Sequence, residues 1–358
     1  MASYKKINNK WTVVFDMPSV AGQRAQKRLS GYNSRREAEL AYIAFKGENK
    51  QIKPSGQYPF GAVFERYMSY QETRVKESSF VSIKHCFDLW LLPYFKTFSI
   101  ENITAKDIAA WQADMSNRSQ KALSFKYKNK IFMFLKGFLN YCRDIEEIIQ
   151  INPVKKQLKF IDTAIKTEML IYSPEEYNIF RSAISKPQDI IIFDLLYFTG
   201  ARKGELLALQ WQDFKENSIS ITKTYTRKTK DGKWKLTPPK SKNSVRKVLL
   251  PDFLIAELKD YRAAANDAEY IIGSEFPNNE RYLDLARNKY VEASGVKRIR
   301  IHDFRHSHVS YLLSENIDVM TIAARVGDNV ETILKTYAHL MPNKQFEMLK
   351  KLDSVLLN

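Results

Sequence analysis

Three short stretches of this 358-residue sequence carry side chains that together could act on a phosphodiester. Arg202 stands in T-G-A-R-K-G-E, His302 and Arg305 in H-D-F-R-H, and Tyr337 in T-Y-A-H. Two guanidinium forks can hold both non-bridging oxygens of a phosphate, an imidazole can move a proton near neutral pH, and a tyrosine oxygen can attack phosphorus. That chemistry needs no metal and no organic cofactor, and none is expected. Of the five histidines, His302, His306, His308 and His339 all fall after residue 300. His302 is assigned acid/base and hydrogen-bonding work, and His306 and His308 are read as supporting or packing residues.

These groups must be presented by particular elements. Residues 188–198 are apolar over most of a helical circumference, which predicts a buried helix, and Gly200 can end it in the left-handed turn that glycine tolerates. Arg202 follows that break and precedes G-E-L-L-A-L-Q-W, read as an amphipathic helix that locks its backbone, with Glu205 one turn on and able to hold the guanidinium. Residues 218–250 alternate as β-structure in I-S-I-T-K-T and V-R-K-V-L-L, with a hairpin turn at Asp231 and Gly232. Ten basic residues share that segment, and Lys240 and Lys242 sit in the turn P-K-S-K-N-S before its last strand. His302 and Arg305, three residues apart, share one face near a helix N-terminus, where the macrodipole favours phosphate. Gly327 can end the next helix, and D-N-V-E reads as the start of another, with Asp328 as its cap and Glu331 at the third position. Tyr337 follows the periodic run V-E-T-I-L-K. Beyond it, Phe346, Leu349, Leu352 and Leu356 make an amphipathic stripe.

Composition sets the context. Lysine and arginine number 57 against 40 acids, a net charge of +17 that favours a polyanionic partner through counterion release. Nucleic acid leads over an anionic membrane, because no apolar run is long enough to span a bilayer and no signal-peptide core follows Met1. The protein is expected to be soluble and intracellular, in the cytoplasm. Cys86 and Cys142 sit among apolar residues, which suits buried thiols in a reducing compartment.

Length predicts two or three domains. Residues 1–53 alternate in K-W-T-V-V-F-D-M and again in R-A-Q-K-R-L-S-G, a small β-sheet, and then Ser34 with Glu37 forms a capping box for a helix. Residues 1–50 hold ten basic residues against four acids, which suits a DNA-contacting sheet. A linker with Pro54, Gly56 and Pro59 leads to a helical, aromatic segment, 58–153. Within it Ile131, Phe134, Leu135, Phe138, Leu139 and Cys142 form the buried face of one helix, which Lys126, Lys128 and Lys130 open. A second linker at Pro153 precedes the largest segment, 165–358.

The order, spacing and flanking residues of these motifs resemble a tyrosine recombinase of the phage and transposon integrase type, over nearly the whole chain. The resemblance implies a multidomain, mainly α fold: an arm-type DNA-binding domain with a β-sheet and a helix, an all-α SAM-like core-binding domain, and a mixed α+β catalytic domain. It makes Arg202 and Arg305 the catalytic arginines, Glu205 the support of the first, and Tyr337 the nucleophile that forms a 3′-phosphotyrosyl link. Lys242, four residues before Arg246, becomes the catalytic lysine, with Lys240 as the other candidate, and Lys126, Lys128 and Lys130 become contacts to core DNA. Partners implied are double-stranded attachment sites of core and arm type, a tetramer assembled on them, an excisionase and a DNA-bending host protein. The tail stripe would dock on a neighbouring protomer. One position departs from the family, which commonly carries His or Trp where this chain has Asp328; an ionised carboxylate accepts hydrogen bonds and cannot donate one to phosphate. The rival readings are a type IB topoisomerase-like strand transferase and a DNA-binding protein that has lost catalysis. The basic N-terminal sheet favours the integrase over the first, and the retained Arg-Lys-His-Arg-Tyr set argues against the second.

Overall fold

In the computed structural model the described residues are 2–7, 9–20, 23–48, 57–118, 123–161, 169–239, 241–264, 268–340, 349 and 352. Lys240 and, from the tail stripe, Phe346 and Leu356 lie outside them. The chain divides into two compact units, 1–165 and 166–358, so the first unit holds both segments that the sequence separates at residues 53–58.

The first unit opens with an antiparallel sheet of β1 (Ala2–Ile7), β2 (Lys10–Val20) and β3 (Gln23–Tyr32), in that order, followed by α1 (Arg35–Glu48). The leading strand β1 lacks the strict alternation of β2 and is legible only as its partner. Val13, Phe15 and Ala38 form the small buried contact between sheet and helix. The cap forms with one shift: Ser34 Oγ accepts from Glu37 N at 3.1 Å, but the Glu37 carboxylate reaches back to Asn33 N, not to Ser34 N.

Five helices then build an aromatic core: α2 (Phe60–Glu72), α3 (Glu77–Cys86), α4 (Leu92–Phe95), α5 (Ala105–Arg118) and α6 (Phe125–Asp144). Phe60 stacks on Phe95 and Phe64 on Phe87, and Phe138 meets Phe60 and Phe87 edge-on. On α6 the buried arc is displaced from the predicted face: Phe132 is buried and Phe134 only half-buried, because Phe132 turns into the core while Phe134 lies under the Lys130 ammonium, 5.5 Å from its ring centre. Cys86 and Cys142 are both buried free thiols.

The second unit contains α7 (Pro174–Ser182), α8 (Pro187–Thr199), α9 (Lys203–Leu207), the sheet β4 (Phe214–Lys215), β5 (Ser218–Ile221) and the hairpin β6 (Thr224–Thr226), β7 (Lys235–Thr237). Then come β8 (Arg246–Leu249), which completes the first sheet in the order β4-β5-β8, and the helices α10 (Asp252–Ala263), α11 (Glu280–Ser294), α12 (Asp303–Ser314), α13 (Val319–Val326) and α14 (Val330–Tyr337). Helix α8 is buried nearly all round, as its apolar circumference predicts, and ends at Gly200 with φ +64°. The predicted amphipathic helix after Arg202 is only the five-residue α9, and Leu206, Leu207 and Leu209 are all buried. Gly204 lets that short helix touch β6: a Cβ there would lie 2.5 Å from Thr224 Oγ1 and 2.8 Å from the Tyr225 carbonyl.

Candidate active site

Arg305 enters the site from the first turn of α12, where His302 precedes the helix. Its guanidinium is 4% exposed and is held by carbonyls at two helix ends: Nη1 donates to Gly200 O at 2.8 Å, just past α8, and to Val326 O at 2.6 Å, at the end of α13. These are the negative poles of the two helices, which suits a cation. Its Nη2 donates to Asp328 Oδ2 at 2.6 Å. Burial, then the neighbouring Arg202, bring the Arg305 pKa down to about 10, against the pull of Asp328, so it stays charged at neutral pH.

Arg202 approaches from the start of α9. Its Nη1 donates to Glu205 Oε1 at 2.9 Å, its backbone N–H to Glu205 Oε2 at 2.9 Å, and its Nη2 to Gly327 O at 3.2 Å. The same Nη2 stands 3.2 Å from Asp328 Oδ2. The two arginines, 103 positions apart in sequence, thus meet at one carboxylate oxygen. Glu205 is itself buried and takes a second arginine, Arg246 Nη2, at 2.9 Å. Burial would raise its pKa, but the Arg246 and Arg202 contacts prevail and hold the carboxyl below its usual range.

Arg246 and Arg325 are the structural cations that sequence reading did not single out. Arg246 Nε donates to Arg325 O at 2.8 Å, and its side chain fills the space beside Gly327, where a Cβ would come within 2.8 Å of Nη1. Arg325 donates to Leu249 O, Phe198 O and His308 Nε2, tying β8, α8 and α12 together. The signal available was A-A-R-V-G, an arginine two residues before a glycine that ends a helix.

Tyr337 is the last residue of α14 and is 4% exposed. Its phenol is pushed well above its ordinary range by burial, while Arg305 pulls the other way. Its hydroxyl lies 2.5 Å from His306 Nδ1. Of the supporting and packing roles open to it, His306 takes the first: it lies against the candidate nucleophile, and, one residue past Arg305 on α12, it faces α14. His308 does pack: it is buried, accepts from Arg325, and has its pKa lowered to about 3, first by burial and then by Arg325. His302 is exposed at the rim, with its ring edge-on to His306 at 4.8 Å between centroids. Its pKa is lowered by loss of solvent, then by the charge of Arg305.

Residues 173–344 match the phage integrase family, and residues 59–116 match the N-terminal SAM-like domain of phage integrases. The chain belongs to the phage integrase family of tyrosine recombinases. It is similar to the ICEBs1 integrase of Bacillus subtilis (strain 168), 29% identical over 375 residues that cover 99% of this chain and all of that one. It is also similar to a XerC-like tyrosine recombinase of Caldanaerobacter subterraneus subsp. tengcongensis, 25% identical over 83% of this chain and 78% of the relative. Its fold is similar to that of the Tn1549 transposon integrase in complex with transposon right end DNA, with a TM-score of 0.67 and 17% identity over 83% of this chain and 99% of that one. A lambda integrase tetramer bound to a Holliday junction matches with a TM-score of 0.57 and 17% identity over 91% of this chain and 95% of that one. This is a tyrosine-type site-specific recombinase, an enzyme that integrates or excises a mobile element.

Several further positions of this recombinase differ from their sequence reading or extend it. Asn329, not Asp328, caps α14: its Oδ1 accepts from Thr332 N at 2.7 Å, which leaves the Asp328 carboxylate for the arginines. Gly327, at φ +67°, ends α13 as expected. Lys242 lies in a single helical turn, Lys242–Ser244, directly before β8, and Ser244 Oγ lies 3.5 Å from Arg202 Nη1. On α6 the Lys126 and Lys130 side chains are exposed one helical turn apart, whereas Lys128 is half-buried, with Nζ 3.4 Å from Ser116 Oγ. No helix of the described residues is long and apolar enough to cross a membrane.

Proposed function

We propose that Tyr337 Oη attacks a scissile phosphate, forming a 3′-phosphotyrosyl link and releasing a 5′-hydroxyl, with Arg202 and Arg305 holding the non-bridging oxygens. The observation that carries this reading is the convergence of both guanidiniums on one anionic oxygen, that of Asp328, which defines a cradle for an oxyanion. His302 at the rim hydrogen-bonds a phosphate oxygen, and Lys242, at the turn before β8, protonates the departing 5′ oxygen. Bond energy is kept in the phosphotyrosine, so a 5′-hydroxyl from a second duplex can reverse the step and exchange strands.

The solved integrases similar in fold are described with transposon end DNA, with a core site and on a Holliday junction. By that likeness, four protomers bring two attachment sites together. Residues 1–53 bind arm-type sites, helix α6 with Lys126, Lys128 and Lys130 lies on core DNA, and an excisionase and a DNA-bending protein set direction in the bacterial cytoplasm. The experiment is Tyr337→Phe on a nicked suicide duplex. The variant is expected to bind the core site normally and form no covalent adduct, and an adduct surviving denaturing gels in Tyr337→Phe would remove the tyrosine from its role.

A further inference from the structure

The nucleophile that this site presents is protonated. Tyr337 is buried, its phenol has its pKa raised, and the attack on phosphorus requires the O–H proton to go somewhere. Among the described residues, the side chain in hydrogen-bond contact with that hydroxyl is His306, through Nδ1 at 2.5 Å. The rings lie 5.6 Å apart between centroids and tilted by 54°, an approach at the ring nitrogen and not a stacking contact. His302 sits one step further out, against His306.

We propose that His306 is the general base that takes the Tyr337 proton during strand cleavage. The inference rests on the reading of Tyr337 as nucleophile. With the imidazole neutral and its proton on Nε2, Nδ1 accepts from Oη. Burial, then His302, lower the His306 pKa to about 4, which keeps it neutral at pH 7. The other charged groups acting on it are Asp303, which raises its pKa, and Arg300 and Arg305, which lower it. A phosphate drawn between Arg202 and Arg305 adds negative charge that acts in the same direction as Asp303 and strengthens the base when substrate arrives.

The step balances within the site. The Oη–P bond forms as the P–O5′ bond breaks, the Tyr337 proton passes to Nδ1, and the leaving O5′ takes a proton from Lys242 or water. When a 5′-hydroxyl attacks the phosphotyrosine, the imidazolium returns its proton to the departing Oη. His306 thus acts at both the making and the breaking of the tyrosyl ester, while His302 stays with the phosphate oxygens.

The test uses the full chain and a nicked duplex bearing the direct repeat that flanks the element's gene. Adduct formation is followed from pH 6 to pH 9.5 in wild type, His306→Gln and His306→Ala, with melting curves and site binding as folding controls. Both variants are expected to bind normally and to lose on the order of a hundredfold in adduct rate at pH 7. The rate of His306→Gln then climbs with pH as hydroxide replaces the base, a response that loss of a merely structural contact would not produce. A duplex with sulfur in place of the bridging 5′ oxygen, which leaves without a proton, should not restore the rate. Wild-type rates in His306→Gln, a loss that does not change with pH, or rescue by the sulfur substrate would each overturn the assignment. If the wild type makes no adduct through Tyr337, the nucleophile reading fails first.

Discussion

Asp328 places Oδ2 2.6 Å from Arg305 Nη2, and this contact gives a physical role to a residue that stands where the family resemblance implies His or Trp. The resemblance implies a hydrogen-bond donor here, whereas this chain puts an anion in the grip of both arginines. The carboxylate neutralises part of a cationic cleft, and on the proposed function a scissile phosphate would compete with it for the same donors.

Asp328→Asn is therefore expected to separate stability from chemistry. Removing the charge leaves Arg305 buried with only carbonyl partners, which should cost on the order of 1–3 kcal/mol. Inorganic phosphate should then stabilise the variant more than the wild type, and cleavage should stay within about tenfold, because an amide can share the cradle with a phosphate. A folded Asp328→Asn protein with no cleavage, or with no added response of its melting temperature to phosphate, would contradict competition at the cradle.

The cap of α14 supplies the control. Asn329 Oδ1 satisfies Thr332 N, so Asn329→Ala should lose about 1 kcal/mol by loss of the cap alone while leaving phosphate binding untouched. Thermal melting with and without phosphate measures both quantities. Equal phosphate responses to substitution at 328 and at 329 would merge the two roles that the structure separates.

How far sequence reaches is visible in this same stretch. The glycine stops at Gly200 and Gly327, the helix read over 188–198 and the pairing of His302 with Arg305 are local and were legible from residue type and spacing. The choice between Asp328 and Asn329 as cap was not, since both side chains can cap and it is the approach of Arg202 and Arg305, far back in the sequence, that draws Asp328 away. For His306 the sequence left a supporting and a packing role open for a related reason: what it faces is the end of α14, 31 residues on. Arg246 and Arg325 stabilise the site by reaching carbonyls and carboxylates brought close only by folding.

Glu205 joins Arg202 to Arg246 from a position 3% exposed, so Glu205→Gln takes the carboxylate from the buried Arg246 and leaves Arg202 with Asp328 alone. Breaking a buried pair from one side costs about 3–5 kcal/mol. The expected result is a large drop in denaturant midpoint and loss of cleavage together. A variant as stable as the wild type would mean that solvent or another group carries the charge balance.

The acid sensitivity of the fold should come from His308. An unfolded histidine titrates near 6.5, whereas folded His308 is held at about 3 by burial and by Arg325, whose Nε donates to its Nε2. Between those values the unfolded chain binds the extra proton, so this contribution is complete above pH 6.5 and is lost as pH falls, at about 1.4 kcal/mol per pH unit. From pH 6.5 to 5 that amounts to about 2 kcal/mol. His306, lowered to about 4 but half-exposed, adds a smaller loss of the same sign. The lowered carboxyls of Glu205 and Asp303 act only below their ordinary values of 4.5 and 3.8, outside this window. Denaturant unfolding of wild type and His308→Gln at pH 7.5, 6.5, 5.8 and 5 measures the effect. The variant should start less stable and lose less on acidification, because glutamine can still accept from Arg325 and has no proton to gain; parallel curves for the two proteins would show that His308 is not what acid attacks.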